Sequence, residues 1–350
     1  MKNILFDCRA IFDSGIGAYT REILVRLVKH SNVSVIVSKN DINRFNELSI
    51  NVDDIIVVGF GRLSWRNISF ISKYLAYNDY FFSPTFVLFF NRKKMLVTIH
   101  DVCLLDCRKF FSFSSVALFF VLVGINAFFS KNVFTISKFS KHRIVEFFRF
   151  INPRKIIVLY NGRNSFFRKL AKTPGISENI SFDLSGKIYY LTVGNIKPHK
   201  NFRNLCRYWT QSNNDSILVI VGSSDGLRTK EELNHTDNVI FTGYISDEDL
   251  ATLYKNATAF IYPSLYEGFG LPLLEAMEFN LPIAASDIPV FHEIAGNDIS
   301  YFNPYNFDKL SGFIADKKVK IDYQDTLANF DWDYTVKGIL KVIESENSTN

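Results

Sequence analysis

The stretch TAFIYPSLYEGFGLPLLEAMEFNLPIAAS (residues 258–286) decides the fold. It reads as a strand (TAFIYPS, 258–264), a glycine turn, a helix and a second strand (LPIAAS, 281–286). Two strand-like runs joined through a helix form a parallel crossover. Within the turn, Gly268 and Gly270 permit close backbone approach and Pro272 suits the first helical turn. The amides of Phe269, Gly270 and Leu271 are then expected to point out of a helix N-terminus, a ready site for an anion or a sugar hydroxyl. Glu267 precedes the turn and Glu275 lies in the first turns of the helix, so both carboxylates can accept hydrogen bonds from the paired hydroxyls of a sugar or ribose. Any glycine-rich strand-to-helix turn shares some of these properties, so the rest of the chain has to be consulted.

Outward from this unit the same alternation recurs. Toward the N-terminus it appears as KIYYLTVG (187–194), SILVIVG (216–222) and NVIFTG (238–243). An earlier series comprises NILFD (3–7), VSVIV (33–37), DIIVVG (54–59), YFFS (80–83), LVTIH (96–100), NVFTIS (132–137) and KIIVLY (155–160). Strands alternating with helices predict an α/β chain with parallel sheets, and 350 residues exceed what one core usually serves. The expected organisation is two Rossmann-like, doubly wound domains facing a central cleft: residues 1–165, a polar linker over 166–186, and residues 187–350, with the last helix free to pack on the first domain. Ligands of such sheets bind at the carboxyl ends of the strands, so functional residues should follow strands.

Composition narrows the class. With 47% hydrophobic and 21% charged residues the chain is globular, and 35 phenylalanines supply a large core. Cys8, Cys103, Cys107 and Cys206 show neither CxxC nor zinc spacing, which favours free thiols in a reducing compartment. The opening MKNILFDCRA fits a first strand better than a signal peptide, so a cytoplasmic location is expected. Residues 1–165 hold 23 Lys+Arg and 11 Asp+Glu, a net +12, against −7 for the remainder. Such asymmetry points the first domain at an anionic membrane surface or a phosphate-bearing acceptor. Without a helix-turn-helix, zinc-finger or RNA-binding signature, no nucleic-acid partner is expected. Between Lys109 and Lys131 lie 21 uncharged residues, broken by four serines, Gly124 and Asn126. A core or inter-domain helix is the first reading, with a helix lying on a membrane surface and a true span left open.

Four further segments carry candidate chemistry. VGNIKPHKNF (193–202) runs from strand into helix, with Lys200 beside a candidate Asn201 cap; a lysine there is a sensible clamp for a leaving diphosphate. DSGIGAYTREIL (13–24) carries Gly15 and Gly17 before a helix, which a simple tight turn would also explain. LVTIHD (96–101) puts His100 at a strand end with Asp101 able to orient its ring. Asp331-Trp-Asp333 has the DxD spacing of metal-diphosphate sites but sits near the C-terminus, where helix capping or packing is the expected role, and no metal is predicted.

Residues 239–296, and more weakly nearly the whole chain, resemble the nucleotide-binding domain of retaining GT-B glycosyltransferases of family 4, whose signature of two glutamates separated by seven residues is matched by Glu267 and Glu275. The resemblance implies a metal-independent hexosyltransferase needing no cofactor beyond its nucleotide-sugar co-substrate. It implies Glu267 beside the transferred sugar, Glu275 on the ribose, and sugar hydroxyls and phosphate on the amides of Phe269, Gly270 and Leu271, with Gly268 in the same turn. It further implies Lys200 on the diphosphate, Gly15 and Gly17 reaching the donor phosphates, and His100 near the donor sugar. Family members often carry a second cation just after the strand-end glycine. Here Asn195 follows Gly194, and His199 or Lys197 is left to compensate. Segments FTISKFSKHRI (134–144) and LYNGR (159–163) also match, with Ser137 and Asn161 read as structural. The chain looks most like mannosyl- and rhamnosyltransferases of bacterial surface polysaccharide, which makes GDP-mannose the first choice of donor, UDP- and dTDP-sugars the alternatives, and a lipid-linked or lipopolysaccharide glycan the acceptor. Peripheral association with the inner face of the cytoplasmic membrane would follow. A nucleotide-sugar epimerase and a non-catalytic glycan-binding subunit are the readings from other classes.

Overall fold

The computed structural model describes residues 1–173, 184, 186–212, 215–222, 238–315 and 321–345. The chain divides into two compact units, one of Met1–Gly162 with the segment from Asp331 onward, the other of Arg163–Phe330.

The first unit is built on a seven-stranded parallel sheet of β1 (Asn3–Asp7), β2 (Asn32–Ser38), β3 (Asp54–Val58), β4 (Tyr80–Ser83), β5 (Met95–Thr98), β6 (Asn132–Thr135) and β7 (Ile156–Val158), in the order β3-β2-β1-β4-β5-β6-β7. Its strands are almost continuous apolar runs, as a sheet covered on both faces requires. Phe81, Phe82 and Phe134 are fully buried, and Phe82 meets Phe134 edge-on at 5.6 Å between ring centroids. The helix Trp332–Glu344 packs on the helix Ser14–Leu27 within this unit. Asp331 caps it, its Oδ1 accepting from the Asp333 amide at 2.9 Å, while Asp333 accepts from Arg26 at 2.8 Å. Both carboxylates of the DxD triplet thus perform helix capping and packing.

The second unit carries β8 (Tyr189–Val193), β9 (Ile217–Val221), β10 (Val239–Gly243), β11 (Ala259–Tyr262), β12 (Ile283–Ser286) and β13 (Ser300–Phe302), again parallel, in the order β10-β9-β8-β11-β12-β13. The strand series runs outward from β8 to β10 on one side and from β11 to β13 on the other. Its topological switch point therefore lies between β8 and β11, which pair through Ala259 with Tyr190 and Phe260 with Leu191. The unit's core gathers Tyr190, Leu205, Trp209, Leu218 and Ile261.

Three expectations change. β13 carries no strand-like run in the sequence; it is a three-residue edge strand paired to β12 from Ala284 with Ser300 to Ser286 with Phe302. The stretch expected as a linker opens with a helix, Ser165–Ala171, which packs against the helices Asp247–Asn256 and Leu271–Glu278; its residues 174–183 and 185 lie outside the described residues. The uncharged segment forms a helix, Phe113–Phe129, whose Phe119, Val123 and Ala127 enter the core while its other face is exposed, so it is a core helix on one side only. Among the described residues no helix is long and apolar enough to cross a membrane.

Candidate functional site

At the switch point of the second sheet, the chain leaves β8 through Gly194 and Asn195 and reaches the short turn Pro198–Lys200 before the helix Phe202–Gln211. It leaves β11 through Pro263 to Gly270 and enters the helix Leu271–Glu278. A crevice at this position is where open parallel sheets place ligands, because strand order reverses and two strand-to-helix loops diverge. The loops are tied together by the Leu265 amide donating to the His199 carbonyl at 2.7 Å.

Lys200 and Glu267, one from each loop, meet here. Lys200 Nζ donates to Glu267 Oε1 at 2.6 Å, and Ser264 Oγ donates to the same oxygen at 2.6 Å. Burial pushes the Glu267 carboxyl toward its neutral form, but the Lys200 charge and the two hydrogen bonds outweigh it and hold the group below the usual carboxylate range. It is therefore ionised at neutral pH. His199 behaves in the opposite sense: burial, then the Lys200 charge, lowers its pKa to about 4, so its ring is neutral and supplies no second cation. Lys197 is exposed and Asn195 is uncharged and partly buried. Asn201, expected as a side-chain cap, sits in the left-handed region at φ 63° and makes no side-chain capping bond. Its amide instead donates to the Pro304 carbonyl at 2.7 Å, so it fastens the loop to the segment after β13.

Gly270 has φ 114°, a conformation L side chains rarely adopt, and a β-carbon there would come within 3.1 Å of the Phe291 ring. That turn lets the chain reverse into the helix, leaving the amides of Gly270 and Leu271 outside every backbone hydrogen bond of the described residues. Gly268 and Phe269 are buried, Phe269 packing edge-on against Phe330 at 5.6 Å. One turn into the helix, Glu275 accepts from the Tyr254 hydroxyl at 2.9 Å. Burial raises its pKa to about 7, only partly opposed by the Tyr254 hydrogen bond, although an edge of the side chain still reaches solvent. The two glutamates thus differ in state: Glu267 is a paired carboxylate and Glu275 is poised between acid and anion.

The remaining predicted residues belong to the first unit. His100 follows β5; its Nε2 donates to the Pro84 carbonyl at 2.8 Å and its ring meets Tyr19 edge-on at 4.8 Å. Burial lowers its pKa to about 4, so the ring is neutral, and the proton held at Nε2 leaves Nδ1 as an acceptor. Asp101 accepts from the Cys103 amide at 2.8 Å, and the ring-orienting bond comes from Pro84. Gly15 and Gly17 lie in the first turn of the helix Ser14–Leu27, where the sequence placed a loop. Gly17 is there for packing, since a β-carbon would stand 2.6 Å from the Ile11 carbonyl oxygen, whereas Gly15 faces open space. Reading the sequence missed Ser264 and Tyr254. Ser264 lies three residues before Glu267 on the same loop, a signal available in principle; Tyr254 is brought in from another helix and had none.

Residues 177–321 match the family Glycosyl transferases group 1. The second unit is a glycosyltransferase group 1 domain. Over 238 residues, 62% of this chain, the protein is 33% identical to the O-antigen chain mannosyltransferase RfbU of Salmonella typhimurium, of which the match covers 63%. It is 27% identical over 248 residues, 68% of this chain, to the O-antigen chain mannosyltransferase B of Escherichia coli, of which the match covers 65%. The matches therefore span less than two thirds of these relatives. Among solved structures, Anabaena Alr3699/HepE in complex with UDP and glucose is similar over 99% of this chain and 100% of its own, with a TM-score of 0.76 at 18% identity. That likeness concerns the fold: the chain's two units, each built on a parallel α/β sheet, match those of GT-B glycosyltransferase structures, the fold class expected from the sequence.

Proposed function

We propose that the protein is a metal-independent, retaining glycosyltransferase that moves a hexose, mannose from GDP-mannose, to a hydroxyl of a lipid-linked or lipopolysaccharide glycan. The observation that carries this reading is the Lys200–Glu267 pair at the switch point of a group 1 domain, with the amides of Gly270 and Leu271 beside it. The names of the two O-antigen mannosyltransferase relatives support mannose and a surface glycan.

In this reading the bond between the anomeric carbon and the diphosphate oxygen breaks with its electron pair passing to that oxygen. Lys200 and the helix-start amides stabilise the charge that builds there. The acceptor hydroxyl bonds to the anomeric carbon on the same face and its proton passes to the leaving phosphate, so configuration is retained. Glu267, anionic and fixed by Lys200 and Ser264, orients sugar hydroxyls. Glu275 accepts the ribose hydroxyls, and His100, neutral, offers Nδ1 as a hydrogen-bond acceptor toward a sugar. Peripheral attachment to the inner face of the cytoplasmic membrane belongs to the same proposal.

A ligand that binds only the folded protein raises its melting temperature, so the donor class is read from thermal shifts with GDP, UDP, dTDP and GDP-mannose. GDP and GDP-mannose should give the largest shifts. A shift with UDP alone would replace the donor, and conversion of the donor sugar to an epimer without acceptor would replace the reaction class.

A further inference from the structure

The two glutamates of the site are supported differently. Glu267 has a cation, Lys200, whereas among the described residues no cation comes within ion-pair distance of Glu275. What Glu275 has is the hydroxyl of Tyr254, 2.9 Å from its Oε2. Tyr254 comes from the helix Asp247–Asn256, which follows β10 and is capped at its start by Ser246. Its ring is fully buried, stacked on Phe279 at 5.5 Å between centroids and 10° between planes, with Phe167 at 6.0 Å and Phe260 at 5.8 Å around it. Three phenylalanines would pack a fourth as well as they pack a tyrosine, and a hydroxyl left without a partner in such surroundings costs stability. The packing does not call for that oxygen. The carboxylate does, and the bond to Glu275 is the hydroxyl's one hydrogen bond among the described residues.

That bond decides how much of Glu275 is left for a ligand. A carboxylate offers about four lone-pair sites; Tyr254 fills one on Oε2 and, held in its aromatic stack, cannot swing to follow the side chain. Burial and then the charge of Glu275 push the Tyr254 hydroxyl far above its ordinary range, so it keeps its proton and donates throughout the neutral range. The other titratable groups acting on Glu275 are Asp247, on the same helix as Tyr254, and Tyr262, at the end of β11. Arg168 and Lys172, from the packed helix Ser165–Ala171 and the residue after it, act on Glu278 instead, and Asp325 of the packed helix Gln324–Leu327 is exposed. The phenol alone therefore favours the carboxylate form and holds it in one orientation, with the remaining acceptor sites for a ligand that arrives where the side chain reaches solvent. Two neighbouring hydroxyls, the vicinal diol of a ribose, suit an anion held this way. A 2′-deoxyribose brings one hydroxyl fewer and leaves part of a largely buried anion unfilled, and a site built to bond a hydroxyl rejects the analogue that lacks it.

We propose that Tyr254 is a specificity-determining positioning residue: its hydroxyl holds Glu275 as an oriented carboxylate that takes the 2′,3′-diol of a ribonucleoside diphosphate sugar and discriminates against 2′-deoxyribonucleotide donors. The proposal rests on the assignment of Glu275 to the ribose and adds the residue that makes that contact selective. Among the donor classes considered above it favours GDP- and UDP-sugars over dTDP-sugars.

The test is calorimetric binding of GDP and UDP, each beside its 2′-deoxy counterpart, and of dTDP, to the full chain and its Tyr254→Phe variant. Wild type should prefer the ribonucleotide about thirtyfold, the worth of one hydrogen bond to a charged group. Tyr254→Phe should bring that preference down to about threefold. Without the phenol nothing opposes burial, so the Glu275 carboxyl holds its proton to higher pH than in wild type. Ribonucleotide affinity relative to wild type should then be about tenfold lower near pH 6 and recover toward about pH 8.5. Cooperative melting of the variant shows that it folds, and wild type alone gives a second measurement: its preference should shrink as pH falls below about 7, where Glu275 becomes the neutral acid. Loss of affinity for both nucleotides by one factor at every pH is what a merely structural tyrosine would give, and it overturns the proposal. A variant that keeps the wild-type preference and pH dependence also overturns it, while leaving Glu275 on the ribose. Equal binding of ribo- and deoxyribonucleotide by wild type removes Glu275 from the ribose and takes the proposal with it. So does dTDP binding more tightly than GDP and UDP.

Discussion

Replacing Lys200 by Met and Glu267 by Gln, singly and together, measures the interaction on which the site is built. Both side chains are nearly covered, at 15% and 11% exposure, and their atoms lie 2.6 Å apart. Breaking a buried pair by removing one partner typically costs about 3 to 5 kcal/mol, because the other charge is stranded. Ser264 still donates to Glu267 after loss of Lys200, and the carboxyl can then take up a proton, so Lys200→Met should cost less than that range, about 2 to 3 kcal/mol. Glu267→Gln keeps the shape and an acceptor but strands an ammonium; a similar cost of about 2 to 3 kcal/mol follows. In the double variant neither charge remains, so the two losses should not add, and a coupling of about 2 kcal/mol is expected. Equilibrium urea unfolding of the four proteins gives it directly. Additive losses, with coupling below about 0.5 kcal/mol, would mean that the ion pair does not exist in solution and that the picture of an anionic, pre-oriented Glu267 is wrong.

Two further outcomes follow. Ribose hydroxyls donating to Glu275 favour its carboxylate, so GDP binding near pH 6 should release close to one proton and tighten as pH rises toward about 7, the group's pKa in the free protein; calorimetry in buffers of different ionisation enthalpy reads this, and an unchanged proton count in Glu275→Gln would remove the glutamate from the ribose. His199, at about 4 when folded, takes up its proton more readily when unfolded, so it contributes stability that is full above about pH 6.5 and lost as pH falls through about 4; Glu275, raised when folded, contributes stability that is full below about pH 4.5 and lost as pH rises through about 7. The difference in unfolding free energy between wild type and His199→Asn should therefore grow with pH and that between wild type and Glu275→Gln should shrink, by up to about 3 kcal/mol each, and flat differences would show that neither group is shifted.

The sheets were legible because their strands are continuous apolar runs: the residues expected as β1 and β4 are the residues found. An end was over-read where a hydrophobic residue continues beyond the strand, as at Ile136 after β6. β13 has too few residues to leave a pattern. Within the site, the glycine turn and Glu275's place on its helix could be read from local spacing. The contact between Lys200 and Glu267 joins residues 67 apart, and only the reversal of strand order brings their loops together. Partners that are backbone carbonyls left no trace at all: Pro84 for His100 and Pro304 for Asn201 are chosen by tertiary position, so Asp101 and a helix cap looked like the natural answers. Gly17 had a clear sequence signature with two physical explanations, and packing on Ile11 proved sufficient for it.

The most direct measurement is the turnover number for mannose transfer from GDP-mannose to a lipid-linked glycan acceptor, compared between the wild type and Lys200→Met under conditions where both are folded. Loss of a preorganised cation from the developing diphosphate charge should lower it by about two to three orders of magnitude, with the product keeping the donor's anomeric configuration. Transfer by Lys200→Met at nearly the wild-type rate would contradict the account.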